Sequence, residues 1–226
     1  MGIWGTGPGV QAMMVAIDRT PMQIRLFPLI LAPAMSAVMG AAAAPAPQVV
    51  TILGDSITAG LGLTAAEALP AQLQAALAQR GVRAVVRGAG VSGDTTAGGL
   101  ARVDFSVAPD TRLCVVELGA NDYLQSMPPE QTRHNLEAIV RKLKARHIHV
   151  LIAGGTTPER TAGSYARAFN VIFPQMAKAE GVALEPDFLA GVQGRPALKQ
   201  ADGLHPNAAG ARLIAARLAG YVAKAL

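Results

Sequence analysis

Five short apolar runs alternate with helix-length amphipathic stretches, and this alternation limits the fold more than any other feature. The runs cover residues 48–53, 82–87, 113–118, 148–153 and 182–184. Each has the length and apolar or β-branched content of a buried strand. Between and after them, residues 67–80, 94–107, 129–146, 165–179 and 207–226 read as helices. Leu69, Leu73, Ala76 and Leu77 recur at helical spacing before Gly81. Leu136, Ile139, Val140 and Leu143 form an apolar face behind Pro129, which suits a first helical turn. Pro174 is expected to kink the fourth helix. Strands joined by helical crossovers pair in parallel and are covered on both faces. The expectation is an α/β fold with a five-stranded parallel sheet in a single domain spanning residues 44–226. The chain shows no internal repeat.

Composition removes several function classes. Hydrophobic residues make up 51% and charged ones 15%, which excludes a disordered chain or a coiled coil. The net charge of +5 comes from scattered lysines and arginines rather than a basic stripe with interleaved aromatics, so no nucleic-acid partner is expected. Cys114 is the single cysteine and lies inside an apolar run, so it reads as a small core residue.

The N-terminal region has the order of an export signal. Arg25 supplies a short positive segment, residues 26–39 an apolar one, and residues 41–46 small-residue cleavage sites. Residues 26–46 carry no charge, so a membrane anchor is the competing reading. Pro28, Pro33 and the alanine tail favour removal. The expectation is cleavage after Ala43, Met22 as the working start, and a periplasmic or secreted mature chain without a stable membrane span.

Chemistry-bearing residues gather at the ends of the runs. Gly54-Asp55-Ser56 closes the first, where open α/β sheets place their ligands. The stretch after the second contains Gly88, Gly90 and Gly93 as G-x-G-x-x-G, a pattern that also serves dinucleotides. Asp94 opposes that reading, because it sets a like charge where a pyrophosphate would rest; it reads better as a helix cap. Gly93 then offers a backbone N–H. After the third run, Asn121 offers an amide N–H to a developing oxyanion. Asp122 cannot, since a carboxylate only accepts hydrogen bonds. Before the last helix, Asp202 precedes His205 by three residues in a turn that contains Gly203. That spacing lets the carboxylate hold one ring nitrogen while the other takes a serine proton. Of the other histidines, His134 and His147 read as solvated and His149 as structural.

Taken together, Gly54-Asp55-Ser56, Gly93, Gly119-Ala120-Asn121-Asp122 and Asp202-Gly203-Leu204-His205 resemble the four blocks of the SGNH hydrolase superfamily, the GDSL esterases and lipases. The likeness runs from about Val49 to the C-terminus and is nearest to periplasmic arylesterases and acyl-CoA thioesterase/lysophospholipases. It implies a flavodoxin-like three-layer α/β/α fold with strand order 2-1-3-4-5. It also implies a Ser56 nucleophile, a His205 base and an Asp202 acid. The oxyanion hole would be built from the N–H groups of Ser56 and Gly93 and from Asn121. The implied partner is a small-molecule ester or thioester, with no metal and no cofactor. Substrate contacts are expected from Tyr123, Leu124, Thr157 and Pro158.

Two positions depart from the pattern. Gly88 stands where relatives often have Asn. The loop at 154–160, which often covers an acyl chain with apolar residues, is polar here, so short acyl chains are expected. A carbohydrate O-acetylesterase and a non-catalytic envelope-binding module on the same scaffold remain as alternatives. An α/β-hydrolase is excluded, because Thr58 stands where G-x-S-x-G needs its second glycine.

Overall fold

The computed structural model describes residues 16, 17, 23, 46–155 and 159–226. The expected leader lies almost wholly outside the described residues, as do its cleavage site and Thr156, Thr157 and Pro158. Residues Ala44–Leu226 form one compact unit.

Five parallel strands build the sheet: β1 (Gln48–Gly54), β2 (Ala84–Gly90), β3 (Leu113–Glu117), β4 (His149–Ala153) and β5 (Ala183–Glu185). Their order is β2-β1-β3-β4-β5, as the resemblance implied. Helices α2 (Leu69–Gln79) and α8 (Ala208–Ala225) cover one face. Helices α3 (Thr96–Ser106), α5 (Pro129–Ala145) and α7 (Ile172–Glu180) cover the other. Successive strand side chains point to opposite faces. Val50 and Ile52 of β1 therefore join Leu73 and Leu218, while Leu53 joins Val103 and Leu136. Burying each such side chain contributes about 1.5–3 kcal/mol, which is why both faces must be apolar. Cys114 is fully buried, and burial pushes its thiol up to about 12, so it is an inert core residue.

Several boundaries differ from the sequence reading for identifiable reasons. β2 runs on past the end of the run at 82–87 through Gly88, Ala89 and Gly90, because they pair with Ile52, Leu53 and Gly54 of β1. A Cβ at Gly88 would meet Pro70, and one at Gly90 would meet the backbone of Thr58 and Ala59. The G-x-G pattern thus serves close backbone packing. Asp94 is not the cap of α3: Thr95 is, accepting the Gly98 N–H at 3.3 Å. Asp94 instead pairs with Arg102 at 2.7 Å, and Arg102 also donates to the carbonyls of Gly54 and Ala89. The expected fourth helix is two helices, α6 (Glu159–Asn170) and α7, that meet at Val171. Pro174 falls in the first turn of α7, and the interruption at Val171, three residues before it, is where its missing N–H breaks the helical ladder. Two short helices, α1 (Ser56–Ala59) and α4 (Ala120–Leu124), occupy stretches that read as turns. No helix among the described residues is long and apolar enough to cross a membrane.

Candidate active site

Parallel strands direct every chemistry-bearing turn to the carboxyl edge of the sheet. Ser56 follows β1 as the first residue of α1 and is 8% exposed. Asp55 caps that helix by accepting the Ile57 N–H at 3.0 Å. As the first helical residue, Ser56 has a backbone N–H without an intrahelical partner.

His205 arrives from the far end of the chain. The Ser56 hydroxyl lies 2.9 Å from its Nε2, and Asp202 Oδ2 lies 2.6 Å from its Nδ1. Asp202 Oδ1 also accepts the N–H groups of Leu204 at 2.9 Å and His205 at 3.0 Å. The His205 hydrogen bond, reinforced by those two, holds the Asp202 carboxyl down at about 2. The loop is fastened by Gln200, whose N–H donates to the His205 carbonyl at 2.8 Å and whose amide donates to the Leu61 carbonyl at 2.7 Å. Asn207 then caps α8 through the Ala209 and Gly210 N–H groups.

The oxyanion candidates converge beside Ser56. The Val91 N–H donates to the Gly54 carbonyl at 3.1 Å, which sets the turn carrying Gly93 against the serine turn. Gly93 has φ 80°, a conformation that glycine adopts without strain. Asn121 Nδ2 donates to the Asp94 carbonyl at 2.9 Å and to Asp55 Oδ2 at 3.2 Å. Asp122, its neighbour, is buried and accepts from the Thr96 N–H at 2.8 Å, the Thr96 hydroxyl and the Thr132 hydroxyl. It ties α4 to α3 and α5.

A cavity of about 200 Å³ opens next to this relay, lined by Ile57 and Leu204, the neighbours of the serine and the histidine. Tyr123 and Leu124 line it, joined by Leu118, Phe169, Phe173 and Phe188. Tyr123 stacks on Tyr165 at 5.4 Å and meets Phe169 edge-on at 5.3 Å. Among the described residues, Glu117 is the one carboxyl on its wall. Thr157 and Pro158 lie outside the described residues, and so do the side chains of Glu159 and Arg160. Sequence reasoning missed Phe169, Phe173, Phe188 and Glu117. The aromatics carry no separate signal, since core and cavity aromatics share the same spacing. Glu117 did carry one: a carboxylate closing an otherwise apolar strand.

The model of the GDSL-like lipase/acylhydrolase family matches residues 52–213, the span from β1 into α8. The chain belongs to this family. It is similar to esterase TesA of Pseudomonas aeruginosa, 41% identical over 162 residues that cover 71% of this chain and 81% of the relative. It is also similar to thioesterase 1/protease 1/lysophospholipase L1 of Escherichia coli strain K12, 36% identical over 73% of this chain and 78% of the relative. A crystal structure of TesA superposes with a TM-score of 0.75 at 38% identity, covering 79% of this chain and all (100%) of that one. This GDSL-family chain is therefore an ester-hydrolysing enzyme on an SGNH hydrolase fold.

Proposed function

We propose that the protein is an exported serine esterase that cleaves acyl esters or thioesters through an acyl-Ser56 intermediate. The observation that carries this reading is the unbroken Ser56–His205–Asp202 relay, at 2.9 and 2.6 Å, beside an apolar cavity. Ser56 Oγ attacks the carbonyl carbon as His205 Nε2 takes its proton, and Asp202 stabilises the imidazolium. The carbonyl oxygen becomes an oxyanion held by the Ser56 and Gly93 N–H groups and by Asn121. Collapse expels the alcohol or thiol, which takes the proton from His205. Water then attacks the acyl-serine with His205 as base, and the acid leaves as Ser56 regains its proton.

Short-chain preference was expected from the polar loop at 154–160. The wall that is described is instead aromatic and aliphatic, so the expectation changes. Acyl chains of the kind implied by the name of the Escherichia coli relative would lie along Leu118, Leu124, Phe169 and Phe173. Each methylene buried there contributes about 0.8 kcal/mol, or roughly fourfold in kcat/KM. Across p-nitrophenyl esters and acyl-CoAs of graded length, efficiency should climb by that step and level off once the cavity is full. Leu124→Ser should flatten the climb. Efficiency falling from acetate onward would favour the O-acetylesterase reading, because an acetyl group leaves such a cavity empty.

Export rests on the Arg25, apolar and alanine-rich order of residues 22–46. N-terminal sequencing should find a mature chain beginning near Ala44 in the periplasm or medium. Full-length chain in the cytoplasm would overturn this part of the reading.

A further inference from the structure

Two carboxyl groups that the relay does not use lie buried beneath Ser56. Asp55 is 2% exposed and Glu117 4%. The β1–β3 register sets Glu117 opposite Gly54. Glu117 Oε2 accepts the Asp55 N–H at 3.2 Å and the Thr58 hydroxyl at 2.7 Å, so it grips α1 from below. The Asp55 carboxylate accepts the Ile57 N–H at 3.0 Å through Oδ1 and an Asn121 N–H at 3.2 Å through Oδ2. Around the pair stand Asp94, already matched by Arg102, and His205.

Two neighbouring carboxyls in so dry a place do not both ionise. Burial, reinforced by the Asp55 charge, holds the Glu117 proton well above the usual carboxylate range. Burial raises Asp55 too, but the Ile57 N–H and the His205 charge pull it back. The Asn121 amide faces two acceptors, Asp55 Oδ2 and the Asp94 carbonyl. Its amino side must therefore point inward, since a flipped amide would set its own oxygen against theirs.

We infer that the pair carries one negative charge, on Asp55, and that Asp55 is a positioning residue that holds Asn121 as a donor at the oxyanion site while protonated Glu117 supports the serine turn. This inference rests on the serine-esterase reading above. A developing oxyanion competes with the Asp94 carbonyl for one amide hydrogen of Asn121, while the bond to Asp55 holds the other and keeps the amide in place. A second charge, on Glu117, would oppose the charge that develops there.

Asp55→Asn keeps an oxygen to cap α1 but can turn a donor toward Asn121. Its kcat should fall about tenfold to hundredfold, with KM within about twofold. In the Asn121→Ala background the same change should cost little, because the residue acts through Asn121. A fully additive loss, or a loss in KM alone, would overturn the positioning role. As pH rises through the raised Glu117 value, the proton leaves and kcat should drop on the alkaline side. Glu117→Gln cannot ionise and should lack that drop. The same drop in both proteins would overturn the single-charge assignment.

A readout independent of turnover is the Asn121 side-chain amide signal in NMR, assigned by its loss in Asn121→Ala. It should shift and exchange faster in Asp55→Asn. An unchanged signal would overturn the inference even if the serine mechanism stands. Activity surviving Ser56→Ala would overturn the mechanism and leave the amide result intact.

Discussion

Ser56→Ala is expected to lower kcat by about 10⁶, the scale seen when a hydrolase serine is removed from its relay. Among the described residues, the Ser56 hydroxyl is the side-chain group hydrogen-bonded to His205 Nε2, at 2.9 Å. The fold should not change. The α1 cap is made by Asp55, the serine turn is stitched by Glu117, and alanine retains the Cβ. Circular dichroism and thermal unfolding should match the parent while ester turnover drops to background. Turnover near the parental rate with an intact fold would remove Ser56 from the mechanism.

Asp202→Asn should lower kcat by about 10⁴, if the chymotrypsin-like case transfers. The asparagine oxygen can still accept the Leu204 and His205 N–H groups, so the turn persists. The amide nitrogen would then donate to His205 Nδ1, moving the ring proton to Nε2. That nitrogen would face the Ser56 hydroxyl as a donor, unable to take its proton. The parent carboxyl is held at about 2, so it keeps its charge as pH falls and loses it only near that value. Acid loss of activity above that range therefore belongs to another group. An Asp202→Asn enzyme with full activity would show that His205 needs no carboxylate.

The strands and the relay were legible because each rests on local pattern. Apolar runs of strand length marked β1 and β3, and the three-residue spacing of Asp202 and His205 marked the turn that joins them. What was not legible depends on groups far apart in the chain. Asp94 was read as a cap because nothing local shows that Arg102 must bury its guanidinium between two carbonyls and needs a counter-ion. Gly88 and Gly90 were not read as strand because the bulk that excludes a side chain belongs to Pro70 and the Thr58–Ala59 backbone. The apolar wall was missed for a similar reason: Phe169 and Phe173 sit in α6 and α7, and Phe188 beyond β5. The Glu117–Asp55 contact appears only once β1 and β3 are in register.

The serine and its base are separated by 149 positions in the chain yet touch in the fold. Ser56 is made early in synthesis, whereas His205 stands in the loop that Asn207 fastens to α8, made only after all five strands. On the serine-esterase reading, a growing chain carries its nucleophile without a base, and hydrolysis is expected only once His205 has reached Ser56. In cell-free synthesis the moment ester turnover appears should therefore report the closing of the Ser56–His205 contact, a clock that needs no added label.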